Sequence, residues 1–204
     1  PEVVHYSFVL LPSKGKSKKM STRKGEVVLL EDFMKEAFDK AKKEISKRKT
    51  KGDAKRVAVS AVKYSILKNS PNKTINFSLD DALSFEGDTG PYLLYSYARA
   101  KSILKKAKIK NKTLDFEKLE EKEVELIKKL SDFPEIAFSA YTHLNPSLIA
   151  NYSYQLAKIF NEFYHSCPVI GSEKENFRLK LVEAFTIVLK NSLNLLGISE
   201  IEKM

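Results

Sequence analysis

A chain of 204 residues with 43% hydrophobic side chains can bury a core, either as one large domain or as the end of one domain joined to a smaller one. Its formal charge of +10, from 36 Lys and Arg against 26 Asp and Glu, points to a polyanionic partner. An anionic membrane is disfavoured, because no apolar run approaches the roughly 20 residues that span a bilayer and no signal or lipidation pattern is present. The expectation is a soluble, cytoplasmic protein. The base is clustered: Ser13 to Lys24 holds six basic residues and no acid, Lys40 to Arg56 nine with two acids, and Lys101 to Lys112 six with none. Cys167 has no second cysteine to pair with, and between Phe163 and Val169 it reads as a small buried hydrophobe. His5, His143 and His165 lack the close spacings of metal ligands, so no metal site is expected.

Val3 to Leu11 reads as a buried strand, broken by Pro12 and Gly15, and Val27 to Leu30 resumes a short run of strand type. Asp32 to Lys49 is a helical pattern with Phe33, Ala37, Phe38, Ala41 and Ile45 on one stripe. Gly52 and Asp53 end it and open a second helix that runs to Ser70-Pro71. Ile75-Asn76-Phe77 alternates briefly as an extended piece. From about Asp88 the pattern is helical throughout. Pro91 suits a first turn, and the run to Ala107 has no breaker. Glu120 to Leu130 and Pro134 to His143 are shorter helices, and Pro146 opens a long one that Pro168 ends. Ser172 and Glu175 form a capping-box pattern ahead of Phe177 to Leu196, which Gly197 terminates. This predicts a mainly α chain ending in a helix bundle with short connections.

Between the first two apolar runs lies Lys19-Met20-Ser21-Thr22-Arg23-Lys24-Gly25, a basic, hydroxyl-bearing loop between ordered elements, suited to phosphate oxygens. Here the chain resembles class I aminoacyl-tRNA synthetases, with their K-M-S-K-S loop, and in particular arginyl-tRNA synthetases, where K-M-S-T-R-K-G is a variant. The resemblance continues in order through Val27 to Asp32, through Phe85-Glu86-Gly87-Asp88-Thr89-Gly90-Pro91-Tyr92, similar to a G-[DN]-T-G-P-Y motif, and through Leu195-Leu196-Gly197-Ile198 to Met204. It implies residues 1–87 as the C-terminal end of a class I nucleotide-binding catalytic domain and residues 88–204 as an α-helical anticodon-binding domain. Lys19 and Ser21 would contact ATP phosphates. Thr22 stands where many synthetases have a second lysine, and Arg23 or Lys24 would take over that charge. Cations there lower the barrier to adenylate formation by holding the charge that builds on the leaving pyrophosphate. The lead-in, with Lys16, Ser17 and Lys18, is longer than the family's usual one. The H-I-G-H signature and the arginine pocket would lie upstream of Pro1. The implied whole enzyme is an ATP- and Mg2+-dependent arginine-tRNA ligase, a monomer; this portion alone would bind neither cofactor and would not aminoacylate.

At about 100° per residue, Tyr92, Tyr95, Arg99, Ser102 and Lys106 share one face of the helix after Gly90, with Leu93, Tyr97 and Leu104 roughly opposite. Rings beside a guanidinium and an ammonium form a platform for unpaired bases, and the same tyrosines fit a bundle core equally well. The resemblance places them against the anticodon loop of an arginine tRNA. It carries over Tyr164 and Met204 in the same way, although by pattern Tyr164 borders an apolar stripe and Met204 is a chain end. Four residues beyond Tyr164, where a relative has a large aromatic, stands Pro168. Two other classes remain: a free-standing helical RNA-binding module without catalysis, and a helical protein-interaction domain in a Lys-rich cell, whose RNA binding would be weak and salt-insensitive.

Overall fold

A computed structural model describes residues 3–13, 16–18, 28–48, 52–107 and 118–204. The first half holds a three-stranded sheet of order β2-β1-β3. In it β1 (Val9–Ser13) pairs antiparallel with β2 (Lys16–Lys18) and parallel with β3 (Ile75–Asn76). The strand expected over Val3 to Leu11 is therefore shifted. Val3 to Tyr6 are exposed and outside the sheet, and pairing continues through Pro12, opposite Ser17. Proline is tolerated there because, among the described residues, β1 is bordered by β3 only at Val9 and Leu10, which leaves one side of Pro12 without a neighbouring strand.

The strand expected over Val27 to Leu30 is also corrected. Val27 lies outside the described residues, Val28 and Leu29 are irregular, and Leu30 opens helix α1 (Leu30–Lys47). Glu31 and Asp32 fall in its first turn, where acid side chains favour a helix N-terminus. Ala37, Ala41 and Ile45 are buried as expected, whereas Phe38, assigned to the same stripe, faces outward. Helix α2 (Ala54–Leu67) is capped by Asp53, whose carboxylate accepts from the Lys55 and Arg56 amides. A short α3 (Leu79–Ala82), capped by Ser78, has no counterpart in the sequence reading.

The bundle consists of α4 (Gly90–Lys106), α5 (Glu121–Ser131), α6 (Phe133–Thr142), α7 (Ser147–Ser166) and α8 (Glu175–Leu195). These match the expected helices within a residue or two. The capping box at Ser172 and Glu175 does not form. Ser172 Oγ instead donates to Val169 O, and the Glu175 carboxylate accepts from Gly171 N, because the turn after α7 takes both side chains. Gly197 ends α8 as expected, with φ of +64°. The centre of the bundle is apolar, with Phe160 of α7 stacked on Phe185 of α8 at 3.7 Å between ring centroids. Cys167 is buried as expected, and burial pushes its thiol pKa up.

The Gly87 to Tyr92 motif forms the joint between the halves. Tyr64 Oη of α2 lies 2.6 Å from Asp88 Oδ1 and 3.0 Å from the Ala150 carbonyl of α7, while Lys68 Nζ donates to Asp88 O at 2.7 Å. Thr89 caps α4 through its hydroxyl, which accepts from the Tyr92 amide. Gly90 lets α4 cross α2 closely, since a Cβ there would stand 2.3 Å from the Ser60 carbonyl oxygen. Gly90→Ala must push the two backbones apart. It is expected to cost about 1–3 kcal/mol, read as a lower urea midpoint with an unchanged slope.

Candidate functional site

Helices α4 and α7 run parallel, as their side-chain pairs show. Tyr92 meets Tyr154 with ring centroids 5.8 Å apart, and seven residues further along Arg99 meets Asn161. At the C-terminal end of this pair lies a cavity of about 490 Å³ lined by Tyr95, Arg99, Lys106, Tyr164, Met204 and the turn Pro168-Val169-Ile170. Five of the six residues expected to face RNA thus share one cavity. The sixth, Tyr92, stands one turn before it. Its hydroxyl accepts from Asn161 Nδ2 at 2.9 Å, and burial raises its pKa.

Arg99 organises the cavity. Its Nη2 donates to Tyr95 Oη at 2.8 Å and its Nη1 to Asn161 Oδ1 at 2.7 Å. The guanidinium carbon stands 4.7 Å from the Tyr95 ring centroid and 5.6 Å from that of Tyr164, within cation–π range of both. No carboxylate among the described residues forms an ion pair with it, so its charge remains available to an anion. Tyr95 is half-buried and Tyr164 is 37% exposed, and both line the cavity.

Asn161 was missed by the sequence reading. Its Nδ2 donates to Tyr92 Oη and to Ser96 Oγ, both at 2.9 Å, and its Oδ1 takes Arg99. It therefore sets the Arg99 guanidinium from below. The signal was an amide in an otherwise apolar stripe, beside Phe160 and one turn beyond Ala157.

Met204 divides two depressions. One is the cavity just described. The other is a groove of about 680 Å³ lined by Lys101, Lys105, Lys203 and Glu202, which shares Ala98, Ser102 and Met204 with the first. Half-buried Met204 is thus an apolar ridge between a cavity holding the Tyr95 and Tyr164 rings with Arg99 and Lys106 and a groove holding Lys101, Lys105 and Lys203, where Glu202 lies 3.8 Å from Lys101. This arrangement suits a single strand whose bases and phosphates point apart.

Lys19, Ser21, Arg23 and Lys24 lie outside the described residues. Among the described residues, no group of three or more His, Cys, Asp or Glu side chains could hold a metal ion, and no helix is long and apolar enough to cross a membrane.

Residues 93–204 match the family of the DALR anticodon binding domain, and residues 1–80 match the catalytic domain of tRNA synthetases class I (R). The chain is 42% identical to an arginine–tRNA ligase of Clostridium perfringens, over 98% of this chain and 37% of that protein. It is 41% identical to one of Methanopyrus kandleri, over 100% and 36%. Among solved structures it is similar to the arginyl-tRNA synthetase of Thermus thermophilus, with a TM-score of 0.87 and 33% identity over 98% of this chain and 35% of that one. It is also similar to that of Plasmodium falciparum, with a TM-score of 0.79 and 28% identity over 98% and 34%. The chain thus spans little more than a third of the length of the curated relatives it matches. Two matched regions in this order, on this fold, mean that the chain belongs to the DALR anticodon binding domain family and carries class I (R) synthetase catalytic-domain sequence ahead of it, as arginyl-tRNA synthetases do.

Proposed function

We propose that this chain is the anticodon-reading portion of an arginine–tRNA ligase, a cytoplasmic and monomeric enzyme. Residues 88–204 hold the anticodon stem-loop of an arginine tRNA, and residues 1–87 complete one side of an ATP site. The observation that carries this reading is the convergence of Tyr95, Arg99, Lys106, Tyr164 and Met204 on one cavity. Unpaired anticodon bases stack on Tyr95 and Tyr164, Arg99 lies between the rings, and Lys106 takes phosphate at the rim.

The catalytic role of the first half rests on Lys19, Ser21, Arg23 and Lys24, which would hold ATP phosphates. Mg2+ would arrive with ATP and add charge neutralisation there. The apolar surface of this half supports a larger catalytic body. Val3, Val4, Tyr6, Phe8 and Leu29 are exposed, and an apolar groove of about 210 Å³ is lined by Val9, Leu11, Leu30, Phe33 and Phe77. Apolar surface gathered in such a groove suits covering protein.

Tyr95→Ala is expected to weaken binding of an arginine-tRNA anticodon stem-loop by about 1–3 kcal/mol, measured by fluorescence anisotropy. Unchanged affinity in a folded variant would remove the stacking contact.

A further inference from the structure

Residues 197–204 leave α8 and pass back over the bundle as a strap. Gly197 turns the chain, Ile198 and Ile201 bury their side chains in the core, and Met204 enters the cavity wall. Two cations of α2 hold this strap by its backbone. Arg56 Nη1 donates to the Glu200 carbonyl at 2.7 Å, and Lys63 Nζ donates to the Gly197 carbonyl. The Glu200 carboxylate is fixed separately, 2.7 Å from Lys190 Nζ of α8. Arg56 and Lys63 belong to the region matched to the catalytic-domain family, whereas the strap belongs to the region matched to the anticodon domain.

The short distance along the chain makes these anchors consequential. The four residues after Glu200 reach at most about 14 Å, so fixing the Glu200 carbonyl restricts where Met204 stands. Neither Arg56 nor Lys63 lines the cavity, and the strap is the segment they touch that ends in its wall.

We propose that Arg56 and Lys63 are positioning residues for RNA recognition: by holding the backbone at Gly197 and Glu200 they keep Met204 in the cavity wall, and so set how sharply the site separates one unpaired base from another. The proposal rests on the reading of the cavity as the anticodon site. It also gives α2 a direct mechanical connection to that site.

The test compares four proteins: the parent chain, the Arg56→Ala/Lys63→Ala double variant, Met204→Ala, and the triple variant. Each is titrated with an arginine-tRNA anticodon stem-loop and with a loop of equal length and scrambled anticodon. The double variant is expected to lose about tenfold in preference for the matched loop, the scale of one lost apolar contact. Its affinity for the scrambled loop and its salt slope should be unchanged, because neither cation lines the cavity or the adjoining groove. Met204→Ala should lose the same preference, and the triple variant no more than Met204→Ala alone, since both changes act through one side chain. Faster amide hydrogen exchange across residues 198–203, with α4 and α7 unaltered, would report the released strap. If the double variant does not fold, Arg56→Ala alone replaces it, as that side chain is 52% exposed. Additive losses in the triple variant, an equal loss for both RNAs, or full preference in the folded variant would overturn the strap proposal while leaving the anticodon reading intact. A parent chain with no preference between the loops would overturn both.

Discussion

Removing the Arg178 guanidinium is expected to lower the free energy of unfolding by about 3–5 kcal/mol, read from urea denaturation. Glu123 of α5 is fully buried, and Arg178 of α8 nearly so. Arg178 Nε donates to Glu123 Oε1 at 2.7 Å, and its Nη1 donates to the Pro168 carbonyl at 2.7 Å. The second Glu123 oxygen accepts from the Glu120 amide at 2.7 Å and has Lys174 Nζ at 3.5 Å. Arg178→Ala leaves a buried carboxylate with its main partner gone and a carbonyl unpaired. Replacing both ends by apolar residues of similar volume, as in Glu123→Leu with Arg178→Met, should be far milder, because the desolvation cost disappears with the pair. The damage extends beyond stability, since Pro168 opens the turn that walls the cavity at the ends of α4 and α7.

The same pair predicts a pH dependence. Burial opposes ionisation of Glu123, but the Glu120 amide, Arg178 and Lys174 together outweigh it and hold the pKa below the ordinary glutamate value. The folded state therefore takes up this proton less readily than the unfolded chain. The stabilisation is fully present above the ordinary glutamate range and is lost as pH falls through the lowered folded value. Arg178→Ala should flatten this acid limb of the stability profile.

The second large effect is expected at Arg99. Arg99→Ala should weaken binding of the anticodon stem-loop by about 3 kcal/mol, toward the top of the range for a stacked base, because one guanidinium serves both rings. Without it, Tyr95 Oη loses its donor, Asn161 Oδ1 loses its partner, and Tyr164 loses the cation over its face. Lys106→Ala provides the contrast. It should weaken matched and scrambled loops alike and reduce the salt slope by about one counterion.

Helix α4 was legible in the sequence because Pro91 fits a first turn, no breaker interrupts the run to its end, and Tyr92, Tyr95, Arg99 and Lys106 keep one helical period. The cavity residues on it follow from the same period, so one helix wheel located Tyr95, Arg99 and Lys106 together. Tyr164 and Met204 came from resemblance, because nothing local says that α7 lies parallel to α4 or that the strap returns to its end. Asn161, Glu123 and Arg178 were overlooked for a common reason. Each is a polar group on an apolar stripe, and its partner is 55 residues or more away for the ion pair and 62 or more for the amide. Ile75-Asn76 is extended as expected, whereas the other two strand assignments failed where pairing decides. Val3 to Tyr6 carry strand-like residues but have no neighbouring strand among the described residues, and at Leu30 acid in the first turn outweighed the β-prone run.

Whether the cavity at the ends of α4 and α7 reads an anticodon loop is decided by binding this chain to matched and scrambled anticodon stem-loops at two salt concentrations. A steep salt dependence is expected for both RNAs, with a preference for the matched loop that persists at high salt, because phosphate contacts are screened while stacking is not. Equal affinity for the two loops at both salt concentrations would contradict it and leave only a basic surface.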